Sequence, residues 1–344
     1  MFLQKNKKKL MLIVLAILLT VVMVFSTACS SKEDAVSKKG STKEKLVFAD
    51  AGWDSIKIHN EVARLIVESG YGYETDVIPG TTAVTLEGLK RGDIDIFMEI
   101  WTDNIQTYPE AISNGDILEV SLNFGDNRQG FYVPTYVIKG DPEKGLKPLA
   151  PDLQSTTDLP KYWEIFRDPE DKKKGRIYGA IPDWAADEIV SQKVKNYGLD
   201  KEYNLFRPGS GTALSTSLVK ALEKGEPWLG YYWEPEWITG KYDLTLIEEP
   251  DFEQAKWQNG YVCAFPSVPV TVCVNKDLPQ KAPEVVDFLK NYQTSTALTN
   301  AALAYMEENN ASPREAAQWF LKNNKELWTQ WVSVDVAEKV AAAL

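Results

Sequence analysis

The sequence predicts an α/β protein of two lobes, each built on a mostly parallel sheet flanked by helices. Three observations carry this. A stretch of about 60 residues occurs twice, each copy alternates apolar strand with amphipathic helix, and tryptophans fall where the strands end.

The first copy runs from Leu46 to Asn104 and the second from Arg176 to Trp237. Four landmarks align in order: Trp53 with Trp184 (offset 131), Pro79-Gly80 with Pro208-Gly209 (129), Gly92 with Gly225 (133) and Trp101 with Trp233 (132). In each copy a short apolar strand (Leu46–Asp50; Ile177–Ile181) ends just before a Trp, and a helix follows with apolar residues at helical spacing, as in Ile58, Val62, Leu65 and Ile66. A second strand ends at Pro-Gly. A second helix starts near a Thr or Ser and stops at Lys-Arg-Gly or Glu-Lys-Gly, and a third strand ends on the second Trp.

The chain opens on Lys5, Lys7, Lys8 and Lys9, followed by an apolar run from Leu10 to Phe25. That run is short for a transmembrane helix and suits a signal peptide. Ser26-Thr27-Ala28-Cys29 is similar to the bacterial lipobox, with Ser26 where Leu is usual. The expectation is a signal peptide over 1–28 and a lipidated Cys29, with plain secretion or an uncleaved anchor as the alternative. Residues 29–45 have no aromatic side chain and form a flexible tether with a reach on the order of 20–25 Å.

Removing residues 1–28 takes away four lysines and no acids, leaving 34 basic against 49 acidic side chains, a net of −15. Such a charge argues against nucleic acid as a partner. His59 is the only histidine, which excludes a His-based metal site or a Ser-His triad; no metal or cofactor is expected. Cys263 and Cys273 flank a Pro-rich segment and read as two buried free thiols at least as readily as a disulfide.

In open parallel sheets the carboxyl edge of the strands is where ligands bind. Two facing lobes therefore bring Trp53 and Trp101 from one side, and Trp184 and Trp233 from the other, to one cleft. The alternative is that the four rings plug two hydrophobic cores. Against that stand the polar residues beside them: Asp54, Thr102-Asp103, Asp187 and Glu234. Trp319, Trp328 and Trp331 lie in C-terminal helices and read as packing residues.

A quaternary ammonium group has no N–H to donate; it presents diffuse positive charge on methyl surface, which aromatic faces hold. Three or four desolvated faces contribute about 6–8 kcal/mol, close to the roughly 8 kcal/mol of micromolar affinity. Nearby acids concentrate cations without replacing the rings.

The stretches FADAGWDSIK, GLKRGDIDIFMEIWTDN, GFYVPTYVI, GYYWEPEWI and VNKDLPQKAPEVVDFL resemble the substrate-binding proteins of ABC importers for glycine betaine, proline betaine, carnitine and choline, over about residues 46–340. The resemblance implies a two-lobed periplasmic-binding-protein fold, type II-like. It implies a monomer, lipid-anchored on the outer face of the cytoplasmic membrane, that closes on a trimethylammonium group and docks on a permease with its ATPase; it implies no enzymatic activity. Trp101, Trp184 and Trp233 match the aromatic box of betaine-binding members and Trp53 a box residue of choline-binding members. Two positions depart. Glu236 stands where betaine-binding relatives often carry a His, in Trp233-Glu234-Pro235-Glu236-Trp237; Ser55, preceded by Asp54, stands where choline-binding relatives carry an acid. Carboxylate capture then falls to backbone amides at the helix starts after Trp53 or Trp184, aided by Asn104. Asp54, Ser55, Asp103, Asn104, Glu234 and Glu236 are the polar site candidates.

Val133–Gly140 and Ser267–Asn275 read as the two crossings between lobes, giving lobe I as 46–135 with 268–344, and lobe II as 136–267. Residues 141–174 read as a surface excursion. Two rivals remain at this stage: the same fold holding a polyamine or amino acid through paired carboxylates, and a lipid-anchored glycosidase using two of Glu99, Asp103, Glu234 and Glu236.

Overall fold

A computed structural model describes residues 43–344; the predicted signal peptide, Cys29 and most of the tether lie outside the described residues. The strands are β1 (Leu46–Asp50), β2 (Thr75–Pro79), β3 (Ile96–Trp101), β4 (Ile117–Phe124), β5 (Arg128–Pro134), β6 (Gly175–Tyr178), β7 (Tyr203–Phe206), β8 (Gly230–Glu234), β9 (Leu244–Leu246) and β10 (Val270–Asn275). They form two five-stranded sheets of like order, β2-β1-β3-β10-β4 and β7-β6-β8-β5-β9. In each, the first three strands are parallel and the fourth, β10 or β5, runs antiparallel to its neighbours. The fourth strand of each sheet follows a crossing of the chain from the other lobe.

The duplication extends to the helix ends. Thr81 caps the helix Thr82–Arg91 by accepting from Val84 N at 3.1 Å, and Ser210 caps Gly211–Lys224 by accepting from Ala213 N at 3.1 Å. Gly92 and Gly225 end these helices at φ +84° and +67°, a left-handed conformation that glycine adopts without strain. The helix Asp54–Ile66 buries Ile56, Ile58, Val62, Leu65 and Ile66 against the first sheet, and Ala185–Asn196 buries Ile189, Val190 and Val194 against the second.

The sheets divide the chain differently from the sequence expectation. β5 pairs with β8 and β9, so residues 128–134 belong to the second sheet, and Thr135–Lys139 is a short helix. The apolar run that suggested a crossing at Val133–Gly140 is instead core: Val133 and Val137 are fully buried. The crossing is the short polar stretch 125–127. Asn127 clasps it to the returning chain, donating from Nδ2 to the Val268 carbonyl at 2.5 Å and accepting at Oδ1 from Val268 N at 3.1 Å.

The C-terminal helices cover the first sheet's lobe, with Pro313–Asn323 against Asp54–Ile66. Trp328 is buried there and donates from Nε1 to the Leu321 carbonyl at 2.8 Å, while Trp331 packs on Tyr292 with ring centroids 4.6 Å apart. Residues 141–174 are more than a surface excursion, since Leu153, Leu159 and Phe166 are buried. Among the described residues, Cys263 and Cys273 are free, buried thiols that do not bridge to one another. His59 is buried beside Tyr292, its Nδ1 2.8 Å from the hydroxyl, and burial pushes its pKa down to about 3, so the ring is neutral.

Candidate functional site

The four tryptophans line one cavity between the lobes. Trp101 is the last residue of β3, and Trp233 the penultimate residue of β8. Trp53 and Trp184 occupy matching positions, each the extended residue that precedes the first helix of its repeat. Trp184 joins the set: its ring meets Trp53 edge-on at 6.0 Å and Trp233 edge-on at 4.9 Å. Tyr231, two residues before Trp233 and thus on the same face of β8, stacks on it at 6.0 Å with an interplanar angle of 19°. A Cβ on Gly211 would come within 3.3 Å of the Trp184 ring, so the close approach of that helix start favours glycine.

The lobes touch around the cavity. Thr82 N donates to the Asp183 carbonyl at 3.2 Å, and the Trp53–Trp184 contact spans the same seam. The cavity, partly open to solvent, has a volume of about 40 Å³. A single water needs roughly 10–15 Å³ on this measure, so the space suits one compact molecule rather than an extended chain.

The cavity wall is mostly apolar, with Thr82, Asn104 and Tyr231 adding neutral polar groups and Glu99 a carboxyl. Glu99, fully buried in β3, lies two residues before Trp101. Its Oε1 accepts from Ser55 Oγ at 2.9 Å and from Trp101 Nε1 at 3.1 Å, while Oε2 has no partner among the described residues. Burial pushes the carboxyl up to about 8, opposed by the donors on Ser55, Trp53 and Trp101. At neutral pH the group is therefore mostly the neutral acid, an O–H donor. The indole N–H of Trp53 acts on this carboxyl's charge but makes no hydrogen bond of good geometry, and it too is buried. One acid hydroxyl and one indole N–H thus stand unpartnered at the aromatic wall.

The polar candidates divide. Asn104 lines the cavity. Ser55 stands one step behind it, holding Glu99. Asp54 is half-exposed and pairs with Lys57 at 2.9 Å, and Asp103 is exposed overall, with partial desolvation of its carboxyl raising the pKa. Glu234 lies off the cavity near Arg128 and Tyr132, its pKa raised by burial against the opposing Arg128 charge. Glu236 is buried, and burial together with the charges of Asp54 and Glu99 holds its pKa well above the carboxylate range. Of the four acids considered for a glycosidase, Glu99 alone lines this cavity.

The sequence offered Glu99 only as a candidate acid of the glycosidase alternative, and did not single out Tyr231 as a site residue. A signal for Glu99 was present: an acid inside the otherwise apolar strand IFMEIW must be paired, neutral or functional. Ala185 and Ala186 also line the cavity, so the helix start after Trp184 reaches it; the helix start after Trp53 instead turns Ser55 toward Glu99.

A trimethylamine N-oxide-binding protein of Pelagibacter ubique is 24% identical over 298 residues, 86% of this chain and 92% of that protein. Among solved structures, an ABC-transporter choline-binding protein in complex with choline superposes with a TM-score of 0.69 at 21% identity, covering 87% of this chain and 97% of that one. Lactococcal OpuAC, closed and complexed with glycine betaine, gives 0.67 at 19% identity, with 85% and 100% covered. These similarities show the two-lobed periplasmic-binding-protein fold. The model of the substrate-binding domain of ABC-type glycine betaine transport systems matches residues 44–323. The chain belongs to that family, the substrate-binding proteins of ABC-type glycine betaine transport.

Proposed function

We propose that this protein captures a small trimethylated amine whose oxygen acceptor sits close to its nitrogen, with trimethylamine N-oxide the first choice. The observation that carries this reading is the unpartnered pair of donors, the acid hydroxyl of Glu99 and the indole N–H of Trp53, at an aromatic wall. Trp53, Trp101, Trp184 and Trp233 enclose the methyl groups and the diffuse charge; the two donors meet the oxygen. Because Trp101 is itself hydrogen-bonded to Glu99, the acceptor oxygen has to lie beside the box, as it does when bonded directly to the nitrogen. The Pelagibacter ubique relative, similar over most of both chains, supports the same choice.

Glycine betaine is the second reading, favoured by the start of the helix Ala185–Asn196 at the cavity, whose backbone N–H groups suit a carboxylate farther from the nitrogen. In either case the loaded protein, tethered by a lipid on Cys29 outside the cytoplasmic membrane, delivers its ligand to a permease as a monomer. Titration calorimetry at neutral pH with trimethylamine N-oxide, glycine betaine, choline, carnitine, lysine and spermidine tests the reading. Micromolar binding of the N-oxide or betaine, tighter than choline, is expected. Tight binding of spermidine or lysine, with no response to any methylated amine, overturns it.

A further inference from the structure

Gln129 does not line the cavity, yet it holds two residues that do. It lies on β5, two residues past the crossing, and opposite Trp233 in the β5–β8 register, so its side chain shares the face that carries Trp233 and Tyr231. The carboxamide is buried, with 4% of the residue exposed. Its Oε1 accepts from the Tyr231 hydroxyl at 2.9 Å and from Asn104 Nδ2 at 3.2 Å; its Nε2 donates to Asn104 Oδ1 at 3.3 Å. Asn104 belongs to the short turn after Trp101 in the first lobe, whereas Gln129 and Tyr231 belong to the second sheet.

We infer that Gln129 is a positioning residue that sets how long the closed cleft keeps its ligand, an inference that rests on the ligand-binding reading above. The reciprocal amide pair with Asn104 spans the two lobes and requires them to be close. The same carboxamide fixes the Tyr231 hydroxyl, which holds the ring flat against Trp233. One side chain thereby ties lobe closure to the set of one aromatic wall. Opening the lobes breaks the pair and leaves three polar groups needing new partners. That cost falls on the closed-to-open step, and so on release rather than on capture.

The test is stopped-flow Trp fluorescence with trimethylamine N-oxide and glycine betaine on the wild type, Gln129→Leu, Tyr231→Phe and the double variant. Gln129→Leu is expected to raise the dissociation rate about 10- to 100-fold while changing the association rate less than about threefold. Tyr231→Phe, which keeps the stacked ring and is the milder change if Gln129→Leu folds poorly, is expected to raise it about threefold, with little further effect in the Gln129→Leu background. Unchanged dissociation in both single variants, or fully additive effects in the double, overturns the inference while leaving wild-type binding intact. A wild type that binds neither ligand sinks the reading on which it rests.

Discussion

Ser55 Oγ donates to Oε1 of Glu99 at 2.9 Å, so the first helix of the first lobe grips one oxygen of the buried acid and leaves the other free. Ser55 stands where an acid was expected for a choline site. The acid of this cavity, Glu99, lies instead on β3 and is kept mostly neutral by burial, which pushes its pKa up to about 8. A neutral acid donates to an oxygen acceptor, whereas an ionised one accepts from an alcohol.

This fixes a pH signature. The binding-competent, protonated fraction of Glu99 is nearly constant below about 8 and falls toward tenfold per pH unit above it. Affinity for trimethylamine N-oxide should therefore be flat from roughly pH 6.5 to 7.5 and weaken on the order of tenfold by pH 9 to 9.5, while choline binding strengthens over the same span. Glu99→Gln keeps an N–H donor and should flatten the N-oxide profile. Calorimetry across this range checks both; a flat wild-type profile would show that Glu99 is not the donor.

The same group sets a stability trend. Its folded pKa, about 8, lies above the ordinary 4.5, so between those values the unfolded chain has given up a proton that the folded chain keeps. By linkage its contribution is fully favourable below about 4.5 and is lost as pH rises toward about 8. Glu99→Gln should remove this component, visible as a smaller fall in denaturation midpoint between pH 5 and pH 8 than in the wild type.

Face and donor can be separated at Trp53. Trp53→Phe keeps an aromatic face but removes the unpartnered indole N–H, and should weaken N-oxide binding by about tenfold with a smaller effect on tetramethylammonium, which has no acceptor. Trp233→Ala removes a face that also supports Trp184 and Tyr231, and should cost at least about 2 kcal/mol for both ligands. Equal losses for the two ligands in Trp53→Phe would argue against a role for the N–H.

Much of this organisation was legible because it repeats. The offset near 131 between Trp53 and Trp184 identified two equivalent strand ends, and caps at Thr81 and Ser210 with glycines at Gly92 and Gly225 give both copies the same helix bounds. The crossing was misplaced because Gly125, Asp126 and Asn127 carry no periodic pattern, whereas the apolar residues after them do. Position in the family motif drew attention to Glu234 and Glu236, but strand alternation sends Glu234 away from the face of Trp233. Glu99 was masked by the reverse problem: it sits in a strand buried along its whole length, where the sequence does not reveal which acid atoms lack partners.

Behind the aromatic wall lies a buried ion pair whose loss should be felt at the site. Lys193, fully buried on the helix that starts after Trp184, places Nζ 2.5 Å from Glu249 Oε2 and also donates to the Cys263 carbonyl. The ammonium lies 4.6 Å from the Phe265 ring centroid, and Phe265 in turn packs against Tyr231 at 5.9 Å. Lys193→Met should destabilise the protein by about 3–5 kcal/mol, because it leaves the Glu249 carboxylate buried without its counter-charge. Lys193→Met combined with Glu249→Leu should recover much of that loss, since the uncompensated charge is then gone, although the Tyr197 hydroxyl, 2.8 Å from Glu249 Oε2, loses its acceptor. Chemical denaturation of the three variants measures this directly. Lys193→Met as stable as the wild type, or a double variant as unstable as the single, would show that the pair is not what holds the segment from Glu249 to Phe265 against the wall.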